Sequence, residues 1–107
     1  MKIVRVKSYR LAMEAMGLTR GEIETISREI TDNYDLWPIM PGMYGAQKAR
    51  FSIQNKGKRD GARAIYYVAI GDLIFFLFAY PKSEQKDLTQ AQRNTIVALI
   101  KQIKEQK

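Results

Sequence analysis

Cysteine and histidine are both absent from this chain of 107 residues. Without cysteine, the protein has no disulfide, no thiol nucleophile and no thiolate ligand for zinc. Without histidine, it lacks the side chain that most often transfers protons near neutral pH and most often binds transition metals. Proton transfer then depends on lysine, tyrosine or a carboxyl group. The sequence contains no carboxylate cluster typical of a metal site, so we expect neither a metal nor another cofactor.

Long apolar stretches are also missing. The longest apolar run, Leu73–Tyr80, is far shorter than a membrane-spanning helix and fits a buried strand instead. The first ten residues lack the apolar segment of a signal peptide. A chain of this length with 46% hydrophobic and 27% charged residues is typical of one soluble domain. We therefore expect a single domain, residues 1–107, in the cytoplasm.

Positive charge is concentrated in two parts of the chain. Residues 1–45 contain six basic and six acidic side chains, which cancel. Residues 46–63 carry six basic side chains against Asp60, and residues 80–107 carry six against three acidic ones. Most of the net charge of +7 thus lies after residue 45. This clustering favours a polyanionic partner, either nucleic acid or an acidic protein segment, over a face that only gives solubility.

The pattern predicts the element order strand, helix, helix, strand, strand, strand, helix. Residues 1–7 alternate like an edge strand, and helical spacing follows over residues 9–16. Thr19 with Glu22, and Thr89 with Gln92, form capping boxes that open the second and the last helix.

The three later strands are predicted at 46–53, 62–70 and 73–80, with an exposed basic loop at 54–61. Short connections favour an antiparallel meander of these strands, with helices covering one face. We therefore expect an α+β fold, a small antiparallel sheet made of the N-terminal strand and the meander, with two N-terminal helices and a C-terminal helix.

Gly71-Asp72 divides the two most apolar runs of the chain and predicts a two-residue hairpin turn. In that register Ile70 is opposite Leu73, and Arg63 is opposite Tyr80. Alternation then places a cation, a phenol and an ammonium group at the open end of an apolar face. The members of this predicted face are Arg63, Ile65, Tyr67, Phe76, Phe78, Tyr80 and Lys82.

A rim of lysine, arginine and tyrosine suits RNA, because these side chains bind phosphate and stack on unpaired bases. RNA supplies its own nucleophile, the 2′-OH. The protein needs only to accept that proton, stabilise the charge on phosphorus and protonate the departing 5′-oxygen. Crowding by like charge favours a base at Lys56 or Lys58. Arg63 is placed to bind phosphate, and Tyr80 or Lys82 to orient or protonate.

Several segments together resemble RelE/ParE-superfamily toxins of bacterial toxin–antitoxin modules, specifically the HigB-like branch. In that branch a G-x-x-G turn precedes a basic strand, a K-G-K-[RS]-G-G-x-R loop enters I-Y-Y, and Y-x-K-x-E precedes D-L-x-x-x-Q. The corresponding residues are Gly42 to Gly45, Lys56 to Arg63, Ile65-Tyr66-Tyr67, Tyr80 to Glu84, and Asp87-Leu88 to Gln92. The match covers about the last two-thirds of the chain, and two positions depart from the pattern. Asp60 stands where the loop usually has glycine, and Gln47 where a basic residue is common.

The resemblance implies a RelE-like fold and an mRNA endoribonuclease that acts in the ribosomal A site, inhibits translation and is held inactive by a cognate antitoxin. It implies catalytic or RNA-contacting roles for Lys56, Lys58, Arg63, Tyr80 and Lys82. Lys48 would be a further phosphate contact, and Arg50 and Arg59 belong to the same predicted RNA-binding patch. The antitoxin would be a small protein, expected to bind DNA, whose acidic groups neutralise this basic surface.

Two other functions fit parts of the sequence. A non-catalytic basic module that binds RNA or an acidic protein would show the same charge clustering. A gyrase inhibitor of the ParE type would share the fold without nuclease chemistry. Lys56, Arg63 and Tyr80 favour the nuclease over the gyrase inhibitor, because a nuclease needs these groups and a gyrase-binding protein does not.

Overall fold

Two consecutive apolar strands form the centre of the molecule. In the computed structural model, β3 (Lys58–Ala69) and β4 (Leu73–Pro81) are the inner strands of a four-stranded sheet of order β1-β4-β3-β2. β2 (Gln47–Ile53) lies antiparallel to β3, and β1 (Lys2–Arg5) lies parallel to β4 at the other edge. The predicted meander and the N-terminal edge strand are therefore confirmed, but the prediction of an entirely antiparallel sheet is wrong, because β1 runs parallel to β4 and makes the sheet mixed.

The structure describes residues 1–53 and 58–106, and only the backbone of residues 58–60. Its helices are α1 (Lys7–Ala15), α2 (Arg20–Asp32) and α3 (Gln90–Glu105), with a short 3-10 helix at Tyr34–Leu36. Both predicted capping boxes are present at the starts of α2 and α3. The fold is thus α+β, as predicted.

The helices cover both faces of the sheet. On one face, α1 and α2 pack their buried side chains, among them Met13 and Ile30, against Tyr66 and Phe76. On the other, Ile96 and Ile100 of α3 join a second core. Its sheet residues include Ile65, Leu77 and Tyr80. The expectation that all helices cover one face is wrong, because β3 and β4 are apolar on both sides and each side needs a cover.

The central hairpin reaches its predicted register by a different route. Ala69 pairs with Leu73, so the turn has three residues rather than two. A three-residue turn alone would offset every pair of β3 and β4 by one residue from the predicted register. Leu77 is an extra residue in β4, and beyond it the pairs return to the predicted register. Arg63 consequently does lie opposite Tyr80. Phe76, by contrast, belongs to the core under α1 and α2, so its predicted place on the Tyr80 face is wrong.

The predicted loop 54–61 is shorter in the structure, because β3 already begins at Lys58. Gly61, within β3, has φ of +70°, and a Cβ there would lie 2.5 Å from the carbonyl oxygen of Phe51. Only glycine allows β2 and β3 to approach so closely at this point. Among the helices of the described residues, none is long and apolar enough to cross a membrane.

Candidate nucleic-acid interface

One row of side chains crosses three neighbouring strands on the α3 side of the sheet. Arg50 of β2 pairs with Arg63 of β3, and Arg63 pairs with Tyr80 of β4. Lys48 pairs with Ile65, which belongs to the core under α3. Directly paired residues project from the same face of a sheet and lie about 5 Å apart. The structure therefore brings three of the predicted cations onto the face of the predicted phenol.

Tyr80 is covered rather than exposed. Its side chain is 1% accessible, and its hydroxyl group has no hydrogen-bond partner among the described residues. The expectation that this phenol lies at an open rim is wrong, because the core beneath α3 extends to the end of β4. Arg63, half-buried beside it, donates from Nη1 to the carbonyl oxygen of Ala62 at 3.3 Å.

Burial raises the pKa of Tyr80, and the nearby carboxylate of Asp87 raises it further. The guanidinium groups of Arg63 and Arg93 oppose this shift in pKa. At neutral pH the phenol therefore keeps its proton. It can donate a hydrogen bond or a proton, but it cannot act as a base.

Asp87 connects the cations of the sheet to α3. Its carboxylate oxygens lie 3.7 Å from Nζ of Lys48 and 3.0 Å from Nη2 of Arg93. The backbone N–H of Leu88 donates to Asp87 Oδ1 at 2.8 Å. This hydrogen bond, followed by the two cations, holds the pKa of Asp87 below its usual value although partial desolvation opposes it. Asp87 is thus the anionic member of the cluster, and we call Lys48, Arg50, Arg63, Tyr80, Asp87 and Arg93 the Arg63 site.

Sequence reasoning missed Arg93 and Asp87. The signal for Arg93 was present, because the capping box at Thr89 places residue 93 in the first turn of α3. Ile96 and Ile100 follow at helical spacing and are buried against the sheet. Arg93 therefore begins the side of α3 that faces the sheet. Asp87 belongs to the D-L-x-x-x-Q segment of the resemblance, but no role in the site followed from that match, since its position depends on how residues 82–88 return to the sheet.

Lys82 follows β4 directly and is exposed, and its backbone N–H donates to the carbonyl oxygen of Gly61 at 3.2 Å. Lys58 and Arg59 lie in β3, but the structure describes only their backbone. Lys56 lies outside the described residues. The roles predicted for these four residues stay predictions.

Gln47, where the resemblance favours a basic residue, does not belong to the Arg63 site. It pairs with Tyr66, which faces α1 and α2. Its Nε2 donates to the carbonyl oxygens of Trp37 at 2.6 Å and Tyr34 at 2.9 Å. Gln47 thus anchors the connection between α2 and β2 on the opposite face of the sheet, and its lack of charge leaves the Arg63 site unaltered.

The fold and the Arg63 site together define a small α+β protein with a cationic face suited to a polyanion, centred on a protonated phenol. A family model, the RelE toxin of the RelE/RelB toxin–antitoxin system, matches residues 40–107. This match covers more than half of the chain and includes every strand and helix that contributes to the Arg63 site. The chain therefore belongs to the RelE toxin family.

Family membership makes this chain a toxin of a toxin–antitoxin system and implies an antitoxin partner. RelE-family toxins are generally ribonucleases. The resemblance to the RelE/ParE superfamily is thus confirmed. The narrower assignment to the HigB-like branch stays a prediction.

Proposed function

We propose that this toxin is a ribosome-dependent mRNA endoribonuclease that cleaves RNA by means of the RNA's own 2′-OH and thereby inhibits translation. The observation that carries the proposal is the row Arg50–Arg63–Tyr80, in which guanidinium groups adjoin a phenol that stays protonated at neutral pH. Membership of the RelE family supports the same reaction class.

The reaction needs no group beyond side chains of this chain and the RNA. A base takes the 2′-OH proton, the 2′-oxygen forms a bond to phosphorus, and the bond from phosphorus to the 5′-oxygen breaks. The products are a 2′,3′-cyclic phosphate and a 5′-OH. We assign phosphate binding to Arg63 with Arg50 and Lys48, because guanidinium groups match phosphate oxygens in charge and geometry.

Tyr80 is the proposed acid for the departing 5′-oxygen, since its raised pKa preserves the proton. Lys56 or Lys58 is the proposed base. Lys82, exposed at the end of β4, and Arg59 are proposed to hold the RNA backbone.

Burial of the Tyr80 hydroxyl supports dependence on the ribosome. RNA must displace some of the side chains that bury this hydroxyl group before it can contact the group, and this displacement consumes binding energy. A ribosome that holds mRNA in a fixed conformation in its A site supplies such energy, whereas flexible free RNA must also lose conformational entropy. The proposed antitoxin, a small DNA-binding protein, would place acidic groups against the same cations.

The test adds purified protein to a translating extract and maps the 5′ ends of the mRNA. We expect cuts in phase with codons, and far fewer cuts in the same mRNA without ribosomes. Arg63→Ala should lower the cleavage rate about 100-fold or more, as loss of one transition-state donor does elsewhere. Arg28→Ala, an exposed arginine on α2, is the matched control and should cut normally.

Two results would contradict the nuclease. Stalled ribosomes with intact mRNA would indicate a non-catalytic binding module. Unaffected translation with inhibited DNA supercoiling would indicate a gyrase inhibitor.

A further inference from the structure

A second cationic surface lies along α3 and shares Arg93 with the Arg63 site. A cleft of about 570 Å³ separates this helix from the connection that precedes β2. Among the described residues, no carboxylate lines it. Its polar and aromatic lining comes from Tyr44, Gln90, Arg93, Asn94 and Lys101, and we call it the Tyr44 cleft.

Two ammonium groups converge on one aromatic ring at this cleft. Nζ of Lys101 lies 4.9 Å, and Nζ of Lys104 5.7 Å, from the ring centre of Tyr44. The two lysines are three residues apart and so project from the same side of α3. Neither has a carboxylate partner among the described residues, and Nζ of Lys104 also lies 5.7 Å from the ring centre of Tyr67, so aromatic rings and solvent relieve their mutual repulsion. An anion held between them would lower the energy of the pair.

Tyr44 is about half exposed. Its side chain is 49% accessible, and the ammonium groups of Lys101 and Lys104 lie over its ring. Its backbone φ is +58°, a conformation rarely adopted by residues other than glycine. Gly42 and Gly45, both with positive φ, flank it. The chain therefore turns sharply here to present an aromatic ring over the cleft.

The amide side chains of the cleft add hydrogen-bonding groups. Nε2 of Gln90 donates to Oδ1 of Asn94 at 3.0 Å. This leaves the carbonyl oxygen of Gln90 and the NH₂ group of Asn94 without a partner among the described residues. A free acceptor beside a free donor matches the edge of a nucleobase. An acidic peptide such as poly-glutamate would use the lysines and the NH₂ group of Asn94, but it would leave the exposed ring of Tyr44 without a stacking partner.

Arg93 links the cleft to the Arg63 site. It lines the cleft and also donates to Asp87 Oδ2 at 3.0 Å, so the two cationic surfaces are continuous. We propose that the Tyr44 cleft is an RNA subsite, in which an unpaired base stacks on Tyr44 and the adjoining phosphate binds Lys101 and Lys104. The subsite takes single-stranded RNA that extends beyond the Arg63 site, and to that extent it rests on the proposed function.

The test measures binding of an unstructured, fluorescently labelled RNA of 12 nucleotides by anisotropy. Lys101→Gln/Lys104→Gln should weaken binding about tenfold, whereas Arg10→Gln/Arg28→Gln removes equal charge from exposed positions on α1 and α2 and should change it less than twofold. Tyr44→Leu should weaken binding about fivefold or more, and Tyr44→Phe should not, because stacking needs the ring. Circular dichroism verifies that each variant is folded.

Equal losses in the two double variants, or equal binding by Tyr44→Leu and Tyr44→Phe, would overturn the subsite. So would variants that lose affinity for an acidic peptide, poly-glutamate, while keeping affinity for RNA. The translating extract separates this result from the proposed function. If the unmodified protein cuts mRNA in phase with codons but the cleft variants bind RNA as tightly as it does, only the subsite is refuted. If the cleft variants selectively lose RNA binding but the unmodified protein does not cut mRNA, only the nuclease is refuted.

Discussion

At the scale of single residues, two buried tyrosines differ in the hydrogen bonds of their hydroxyl groups. The hydroxyl group of Tyr66 donates to the carbonyl oxygen of Tyr34 at 2.6 Å and accepts from Nε2 of Gln47 at 3.3 Å. The hydroxyl group of Tyr80 has no partner among the described residues. A buried polar group without a partner costs about 1–3 kcal/mol. Such a cost persists in a protein when the group serves another purpose, and the proposed role of Tyr80 as the acid is such a purpose.

Tyr80→Phe should therefore leave the free energy of unfolding unchanged or raise it, because it removes only an unpaired hydroxyl group. Tyr66→Phe should lower it by about 1 kcal/mol or more, because it removes the hydrogen bonds to Tyr34 and from Gln47. Urea unfolding measures both. In the translating extract Tyr80→Phe should cut mRNA about 100-fold more slowly, as loss of a general acid predicts, and Tyr66→Phe should cut normally. A stable Tyr80→Phe variant with full activity would exclude Tyr80 as the acid.

Asp87 gives the Arg63 site a dependence on pH. The pKa of its carboxyl group lies below the unfolded value of 3.8, so its ionised form stabilises the folded protein. This contribution is complete above pH 3.8 and is lost as the pH falls through the lowered pKa. Since the side chain is 51% exposed, solvent screening limits the contribution to less than about 1 kcal/mol.

Asp87→Asn keeps an oxygen for the Leu88 N–H and removes only the charge. At pH 7 it should unfold at slightly lower urea concentration than the unmodified protein, and the difference should shrink at pH 3. It should also bind RNA more tightly, because Lys48 and Arg93 lose their anionic partner. Glu24→Gln removes one negative charge at an exposed position on α2 and serves as the control for the change in net charge. A pH-independent difference in stability would show that the charge of Asp87 does not stabilise the fold.

At the scale of elements, the two capping boxes form a matched pair. Thr19 accepts from the N–H of Glu22 at 3.2 Å, and Thr89 from that of Gln92 at 3.1 Å. Either threonine-to-alanine change should lower the free energy of unfolding by about 1 kcal/mol. Only α3 carries Arg93, so fraying at its start should separate this guanidinium group from Asp87.

Thr89→Ala should therefore weaken RNA binding, and Thr19→Ala should not, when anisotropy is measured at a temperature where both variants stay folded. Equal RNA affinity in the two variants would show that the start of α3 does not position RNA-binding groups. Loss of stability in Thr89→Ala alone would contradict the equivalence of the two capping boxes.

The hairpin shows what sequence patterns predict and where they fail. Local signals located the turn and both capping boxes, because glycine conformation and side-chain caps act within a few residues. The extra residue Leu77 gave no signal, since both faces of β4 are apolar and alternation there carries no information. The pairing of Arg63 with Tyr80 was predicted correctly because the longer turn and the bulge compensate. Burial of Tyr80 was missed because α3 covers that face from far along the chain.

At the scale of the whole molecule, the uneven distribution of charge along the chain matches the distribution of its elements between the two faces of the sheet. The first 45 residues carry equal numbers of basic and acidic side chains. They supply the edge strand β1 and the helices α1 and α2, and these two helices cover one face of the sheet. The excess of basic residues lies in the segments that form the other face, together with α3. Lys48, Arg50, Arg63, Arg93, Lys101 and Lys104 accordingly lie on one side of the sheet, with Asp87 among them.

This asymmetry predicts how RNA binding responds to salt. Each phosphate neutralised on a single strand contributes about −0.7 to the slope of log affinity against log salt concentration. If about five of these cations contact phosphate, the slope should be about −3.5. Anisotropy titrations between low and physiological salt give this slope. Arg50→Gln should make it shallower by about 0.7, whereas Arg28→Gln on α2 should not change it, because only the α3 side contacts RNA in the proposed binding mode. Equal slopes for Arg50→Gln and the unmodified protein would show that RNA does not cross β2, and would confine its path to Arg63, Arg93 and α3.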